Sequence, residues 1–154
     1  MARAVKAVNR ILTYAVYVLY PAMLIWILLT EWQRSGLTDA VIAFLPYLLV
    51  PGISFVLVTA VRDRLDAPRP YEAWEIDPLI HKDTKGHSMP SRHVFSSTVI
   101  AMCALRLQVG FGIVMLLISA FLAAVRVLGG VHYPKDVAAG YAAGVLAGLL
   151  LFLF

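Results

Sequence analysis

Five stretches of this chain are almost free of charge and rich in Leu, Val, Ile and aromatic residues: 11–30, 39–61, 93–105, 109–128 and 137–154. A bilayer-crossing helix needs ~20 mostly apolar residues. Four of the runs meet that length, and the third, at 93–105, spans only with help from its flanks or from local thinning of the bilayer. Overall 61% of the 154 residues are hydrophobic and 14% are charged, against roughly half and a quarter in a soluble domain. Lipid is therefore the solvent for much of the surface. One cysteine, Cys103, excludes a disulfide-stapled secreted module.

These runs predict an all-α fold: a polytopic membrane bundle of about five helices, forming a single domain over 1–154. The first run is read as a span and not as a cleavable leader, because it is long and no small-residue cleavage site follows it. Pro46 and Pro51 fall inside the second run and predict a kinked helix. Gly140, Gly144 and Gly148 form a doubled G-x-x-x-G in the fifth. That spacing lets helices approach closely in lipid and marks a packing face, one also suited to association with a second copy.

Polar residues gather in one place. Positions 62–92 hold 6 of the 13 basic and 6 of the 9 acidic residues, and His81, His87 and His93 lie in or at the end of this loop. His132 sits in the short loop between the fourth and fifth runs. Five crossings put the two loops on the same side, so charged groups far apart in sequence meet at one membrane face. Two crossings, at 93–105 and 109–128, lie between them, and an odd number would have separated them. The net charge of +4 then speaks for membrane topology and anionic ligands, not for nucleic acid.

Three clusters carry chemistry: Arg62-x6-Arg69-Pro70, Pro90-Ser91-Arg92-His93, and Arg126-x5-His132-x3-Asp136. No carboxylate pair suits glycoside hydrolysis, no Cys/His set suits zinc, and no Gly-rich loop suits a nucleotide. Converging guanidiniums suit a multiply charged oxyanion, because each donates two parallel hydrogen bonds, and phosphate fits best. Ser91 precedes a helical run, and a helix start adds free N–H groups and positive dipole. Asp136, four residues after His132, is placed to accept from one ring nitrogen and leave the other as a nucleophile. His93 is placed to protonate a leaving oxygen.

The order and spacing of the three clusters resemble the type 2 phosphatidic acid phosphatase superfamily, whose pattern is K-x6-R-P, P-S-G-H and S-R-x5-H-x3-D. The resemblance covers 62–136. It implies a membrane lipid phosphatase acting on phosphatidate, a related phospholipid or an isoprenyl diphosphate through a phosphohistidine. It makes His132 the nucleophile, Asp136 its partner and His93 the general acid. Arg62, Arg69, Ser91 and Arg126 would hold the phosphate and the charge of the transition state. It implies no metal and no cofactor. Arg62 stands for the family lysine, Val125 for the serine before Arg126, and Arg92 for the glycine of P-S-G-H. Arg92 gives up the close backbone approach a glycine allows and offers a guanidinium to a second phosphate or a head group.

A competing reading is a non-catalytic protein that binds or moves anionic lipid with the same basic pocket. An oriented imidazole is what distinguishes the two, since binding alone needs only the arginines. His81 and His87 match no motif position and read as surface polar residues. Asp63, Asp66, Glu72, Glu75 and Asp77 read as partners of loop cations or as solvated groups, and Tyr71 and Trp74 as interfacial aromatics. The chain is expected to be a multi-pass protein of a bacterial or archaeal cell membrane. Five spans place the N-terminus on the active-site side. With the motif arginines set aside, that side holds Arg3, Lys6, Arg10, Arg64, Lys82, Lys85 and Lys135, against Arg34 and Arg106 opposite. The positive-inside rule then predicts a cytoplasmic site, where the family usually has a sixth span and an outward-facing site.

Overall fold

The computed structural model describes residues 2–74, 76–80 and 84–154. Glu75 and His81, read above as polar loop residues, lie outside them. The described residues form the helices α1 (Ala2–Ser35), α2 (Leu37–Leu65), a single turn α3 (Pro70–Ala73), α4 (Arg92–Leu107), α5 (Val109–Leu128) and α6 (Pro134–Leu149), which runs on as a 3-10 turn over Leu150–Leu153. The only residue between α1 and α2 is Gly36, at φ +90°, a left-handed conformation that glycine adopts without a Cβ penalty.

Among the described residues four helices are long and apolar enough to cross a membrane: α1, α2, α5 and α6 with its 3-10 extension. The third predicted run, at 93–105, behaves differently. At 16 residues, α4 is about 24 Å long, short of the ~30 Å hydrocarbon core. It compensates by position, for it packs against α1, α2, α5 and α6. Ten of its residues, from Val94 to Ala104, are buried. Lipid contact falls to the others: Ile11, Val18, Ile25 and Trp26 of α1, Ile42, Ile53 and Val56 of α2, and Leu117 and Phe121 of α5 are all exposed. The chain is an all-α integral membrane bundle wrapped around α4.

Small residues and hydroxyls hold α4 in place. An added Cβ at Gly140 would lie 2.6 Å from the Ser91 carbonyl oxygen, at Gly144 2.6 Å from Thr98 Cβ, and at Gly148 2.3 Å from Met102 Cβ. The glycine spacing read as a packing face thus seats α6 directly on α4. On the other side Gly112 of α5 abuts the Leu105 backbone. Ser119 of α5 shares hydrogen bonds with Ser97 (2.7 Å) and Thr98 (2.6 Å) of α4, the kind of polar contact that joins helices in lipid.

Candidate active site

One end of the bundle collects the C-termini of α2 and α5 and the N-termini of α1, α4 and α6. The parity argument for the two loops is met in the coordinates: Arg126, in the last turn of α5, donates from Nη1 to Asn9 Oδ1 near the start of α1 (3.1 Å). The Ser91 N–H donates to the Asp136 carbonyl (3.0 Å), pinning the start of α4 to the first turn of α6.

The α6 start is built for a carboxylate. Pro134 takes the first helical position, where a missing N–H costs nothing. Asp136 follows in the first turn, where the helix dipole favours negative charge, and its Oδ2 accepts from the Tyr133 N–H (3.0 Å). Tyr133 is held in turn by an edge-on ring contact from Trp74, 5.5 Å between centroids.

His132 and Asp136 are both buried, with His132 Nδ1 facing Asp136 Oδ2 at 3.7 Å. That is longer than a hydrogen bond. The direct bond predicted from the i, i+4 spacing is replaced by a relay. Ser88 Oγ donates to Asp136 Oδ2 at 2.5 Å and lies 3.4 Å from His132 Nδ1. Burial pushes the His132 pKa down to about 4, against an effect of opposite sign from Asp136, while the charges of Arg126 and Arg69 act with burial. The ring is therefore neutral at pH 7, and Nε2 is the nitrogen left for chemistry.

Around this ring stand Arg62, Arg69 and Arg126, all buried and close enough for their charges to act on one another. Arg69 is anchored through backbone carbonyls: its Nε donates to Gly86 (2.9 Å) and its two terminal nitrogens to Val131 (3.3 Å) and His87 (3.4 Å). It thereby clasps the 84–91 loop to the His132 loop. Glu72 supports the clasp by accepting from the Arg69 N–H (2.7 Å) and the Gly86 N–H (2.8 Å). The sequence reading gave this glutamate a cation or solvent as partner, and the structure gives it backbone instead. Arg126 Nε, Ser91 Oγ and Asp136 Oδ1 are buried with no hydrogen-bond partner among the described residues.

Arg92 and His93 leave the first turn of α4 in different directions. The Arg92 guanidinium stands over the Phe55 ring of α2, 5.9 Å from its centroid, with its charge still reaching Arg62 and Arg69. His93 lines a pocket on the α1 side together with Asn9. His87 is half-exposed, with Nδ1 3.5 Å from both Asp63 and Asp66. Tyr71 donates its hydroxyl to the Thr84 carbonyl, so it braces the loop. Sequence reasoning missed Ser88, Asn9 and the role of Glu72. Only Ser88, two residues before the Pro90-Ser91 motif, carried a hint.

The PAP2 superfamily model matches residues 39–154. The chain belongs to the PAP2 superfamily. The match begins after α1. Two solved structures share the fold. The crystal structure of Aquifex aeolicus LpxE aligns with a TM-score of 0.76 at 21% identity, over 97% of this chain and 86% of that one. A transmembrane PAP2-type phosphatidylglycerolphosphate phosphatase from Bacillus subtilis aligns with a TM-score of 0.66 at 21% identity, over 99% and 81%. No curated protein matches the chain. The α4 start accommodates Arg92, which replaces the glycine of the motif that the sequence resembles, by laying the side chain on Phe55.

Proposed function

We propose that this PAP2 protein is a membrane lipid phosphatase that hydrolyses a phosphate ester or diphosphate through a phosphohistidine at His132. The observation that carries the reading is the neutral His132 ring, oriented by Ser88 and Asp136, inside three buried guanidiniums. Like charges concentrated in a low-dielectric site are costly unless an anion joins them. A phosphoryl group supplies that anion and gives the orphaned Ser91 Oγ and Arg126 Nε something to donate to. A site for binding alone has no use for a buried imidazole with a fixed tautomer.

In the proposed reaction His132 Nε2 attacks phosphorus and the bond to the leaving oxygen breaks. His93 gives its proton to that oxygen. Water then attacks the phosphohistidine, losing its proton to His93, and phosphate leaves with His132 restored. Asp136 stabilises the ring while it carries positive charge. Arg62, Arg69 and Arg126 offset the charge on the equatorial oxygens, the task Mg²⁺ performs in many phosphoryl-transfer sites.

The test is phosphate release from a panel of lipid phosphates by purified protein in EDTA, wild type beside His132→Ala. Metal-independent release that the variant loses supports the reading. Wild-type rates in His132→Ala would overturn the nucleophile, and a requirement for Mg²⁺ would overturn the charge argument. Lipid phosphate bound but never turned over by the wild type would leave an anionic-lipid binding protein.

A further inference from the structure

We propose that one face of α1, together with His93, forms a second anion subsite on the leaving-group side of the reaction centre. It selects substrates whose leaving group itself carries a phosphoryl charge. The inference rests on the phosphatase reading for its direction, because His93 marks where the leaving oxygen departs.

Lys6, Arg10, Thr13 and Tyr17 recur at helical spacing and so form one stripe along α1. With Asn9 and His93 they line a pocket of about 410 Å³. The pocket shares a wall with the phosphate site, since Asn9 is the residue to which Arg126 donates. Two further facts point to a ligand. Thr13 Oγ1 is buried without a hydrogen-bond partner among the described residues, although a helical threonine ordinarily bonds back to the preceding turn. No carboxylate occurs in the sequence before Glu31, so nothing on α1 itself neutralises Lys6 or Arg10 in its first turns.

Beyond the pocket the path continues into hydrocarbon. Thr13, Tyr17 and His93 also line a small gap with Ser96. Tyr17 and Ser96 then border an apolar cleft of about 290 Å³ with Tyr20, Phe55 and Ile100. A leaving group of phosphoryl head and lipid tail is matched in order: cations first, hydroxyls next, apolar cleft last. When such a substrate reacts, the bond between the terminal phosphorus and the leaving oxygen breaks and that oxygen takes its proton from His93. The departing lipid keeps its remaining phosphate against Lys6 and Arg10, and water completes the hydrolysis at His132.

Two substrate types share this chemistry: a prenyl diphosphate, and a phosphomonoester on a phosphodiester-linked head group. The experiment has an arm for each. In one, kcat/KM for farnesyl diphosphate is divided by that for farnesyl phosphate. In the other, phosphatidylglycerophosphate is compared with phosphatidate. The double variant Lys6→Gln/Arg10→Gln should lower at least one ratio about tenfold, and the arm that falls identifies the source. Arg3→Gln removes a basic residue of the same helix end that does not line the pocket, and should leave both ratios as in wild type. Ratios unchanged in the double variant, or lowered equally by Arg3→Gln, overturn the subsite and leave Lys6 and Arg10 as interfacial anchors.

Binding provides a readout independent of turnover. Methylenediphosphonate, which has no hydrolysable bridge, should bind the wild type about tenfold more tightly than methylphosphonate, and the double variant should lose that preference. Preference without hydrolysis of any lipid would uphold the subsite and overturn the phosphatase reading. Hydrolysis with no preference would do the reverse.

Discussion

Ser88 and Asp136, 48 positions apart in sequence, meet through a 2.5 Å hydrogen bond in which neither side chain touches solvent. The Ser88 hydroxyl also lies between the carboxylate and His132 Nδ1. It acts as a positioning residue, holding the Asp136 oxygen toward the ring while its own backbone N–H is tied to the Ala67 carbonyl (2.8 Å). Hydrogen bonds to charged groups contribute ~1.5–3 kcal/mol, so Ser88→Ala should lower kcat by roughly ten- to a hundredfold. KM should change little, because Ser88 does not face the phosphate. A rise in KM with kcat intact would place Ser88 in substrate binding instead.

In the proposed mechanism the depressed His132 pKa sets the acid side of the pH profile. The proposed nucleophile is lost only when the ring is protonated, at about pH 4, well below the ordinary histidine value of 6.5. The kcat/KM profile should therefore stay flat from neutral pH down to about pH 5 and fall near pH 4. Asp136→Asn removes the charge that holds the pKa up, so its acid limb should move lower still while the rate drops. A limb near 6.5 in the wild type would mean a solvated His132. Stability follows the same sign: the folded state resists protonation, so the contribution of His132 is complete above about 6.5 and is lost as pH falls toward 4.

The membrane fold was legible in the charge-free runs, because lipid demands long apolar helices and little else can satisfy the backbone there. The common face of the two loops followed from counting crossings. The central role of α4 was not legible, since a short run looks like a weak span, whereas its hydroxyls and flanking glycines serve burial by other helices. Within the site, the three motif clusters were expected to meet, and the structure brings Arg62, Arg69, Arg126, His132 and Asp136 together. Ser88, Glu72 and Asn9 were not expected there, because each acts through a contact made only when distant segments meet. The i, i+4 spacing of His132 and Asp136 predicted neighbours correctly and a direct bond wrongly. Spacing limits reach, and the hydroxyl of a third residue, Ser88, decided the geometry.

The contact of α6 on α4 predicts a graded cost for filling its glycines. At Gly144 a Cβ would meet Thr98 Cβ at 2.6 Å and the Phe95 carbonyl at 2.9 Å, neither of which moves without shifting α4. Gly144→Ala should destabilise by about 1–3 kcal/mol, and Gly144→Val by more. Because α4 carries Ser91 and α6 carries Asp136, activity should fall along with stability. Gly52, where nothing lies within 4 Å of an added Cβ, is the control, and Gly52→Ala should leave thermal unfolding in detergent unchanged or slightly raised. Equal stability of the two alanine variants would show that α6 seats loosely on α4.

The orientation of the site can be tested on the same helix that carries the second subsite. Arg126 reaches Asn9, so the start of α1 and the reaction centre share a membrane face, and locating one locates the other. If Lys6 and Arg10 are assigned to a ligand, as proposed above, the site side still holds Arg3, Arg64, Lys85 and Lys135 among the described residues, against Arg34 and Arg106. Four against two predicts a cytoplasmic site by the positive-inside rule. The native Cys103 is fully buried and, once changed to Ser, leaves a background without thiols. In intact cells a cysteine at position 4 should resist an impermeant maleimide, and one at Gly36, in the exposed turn between α1 and α2, should react. The reverse pattern would put phosphate release outside the cell, and the basic residues at the start of α1 would then be there for substrate and not for topology.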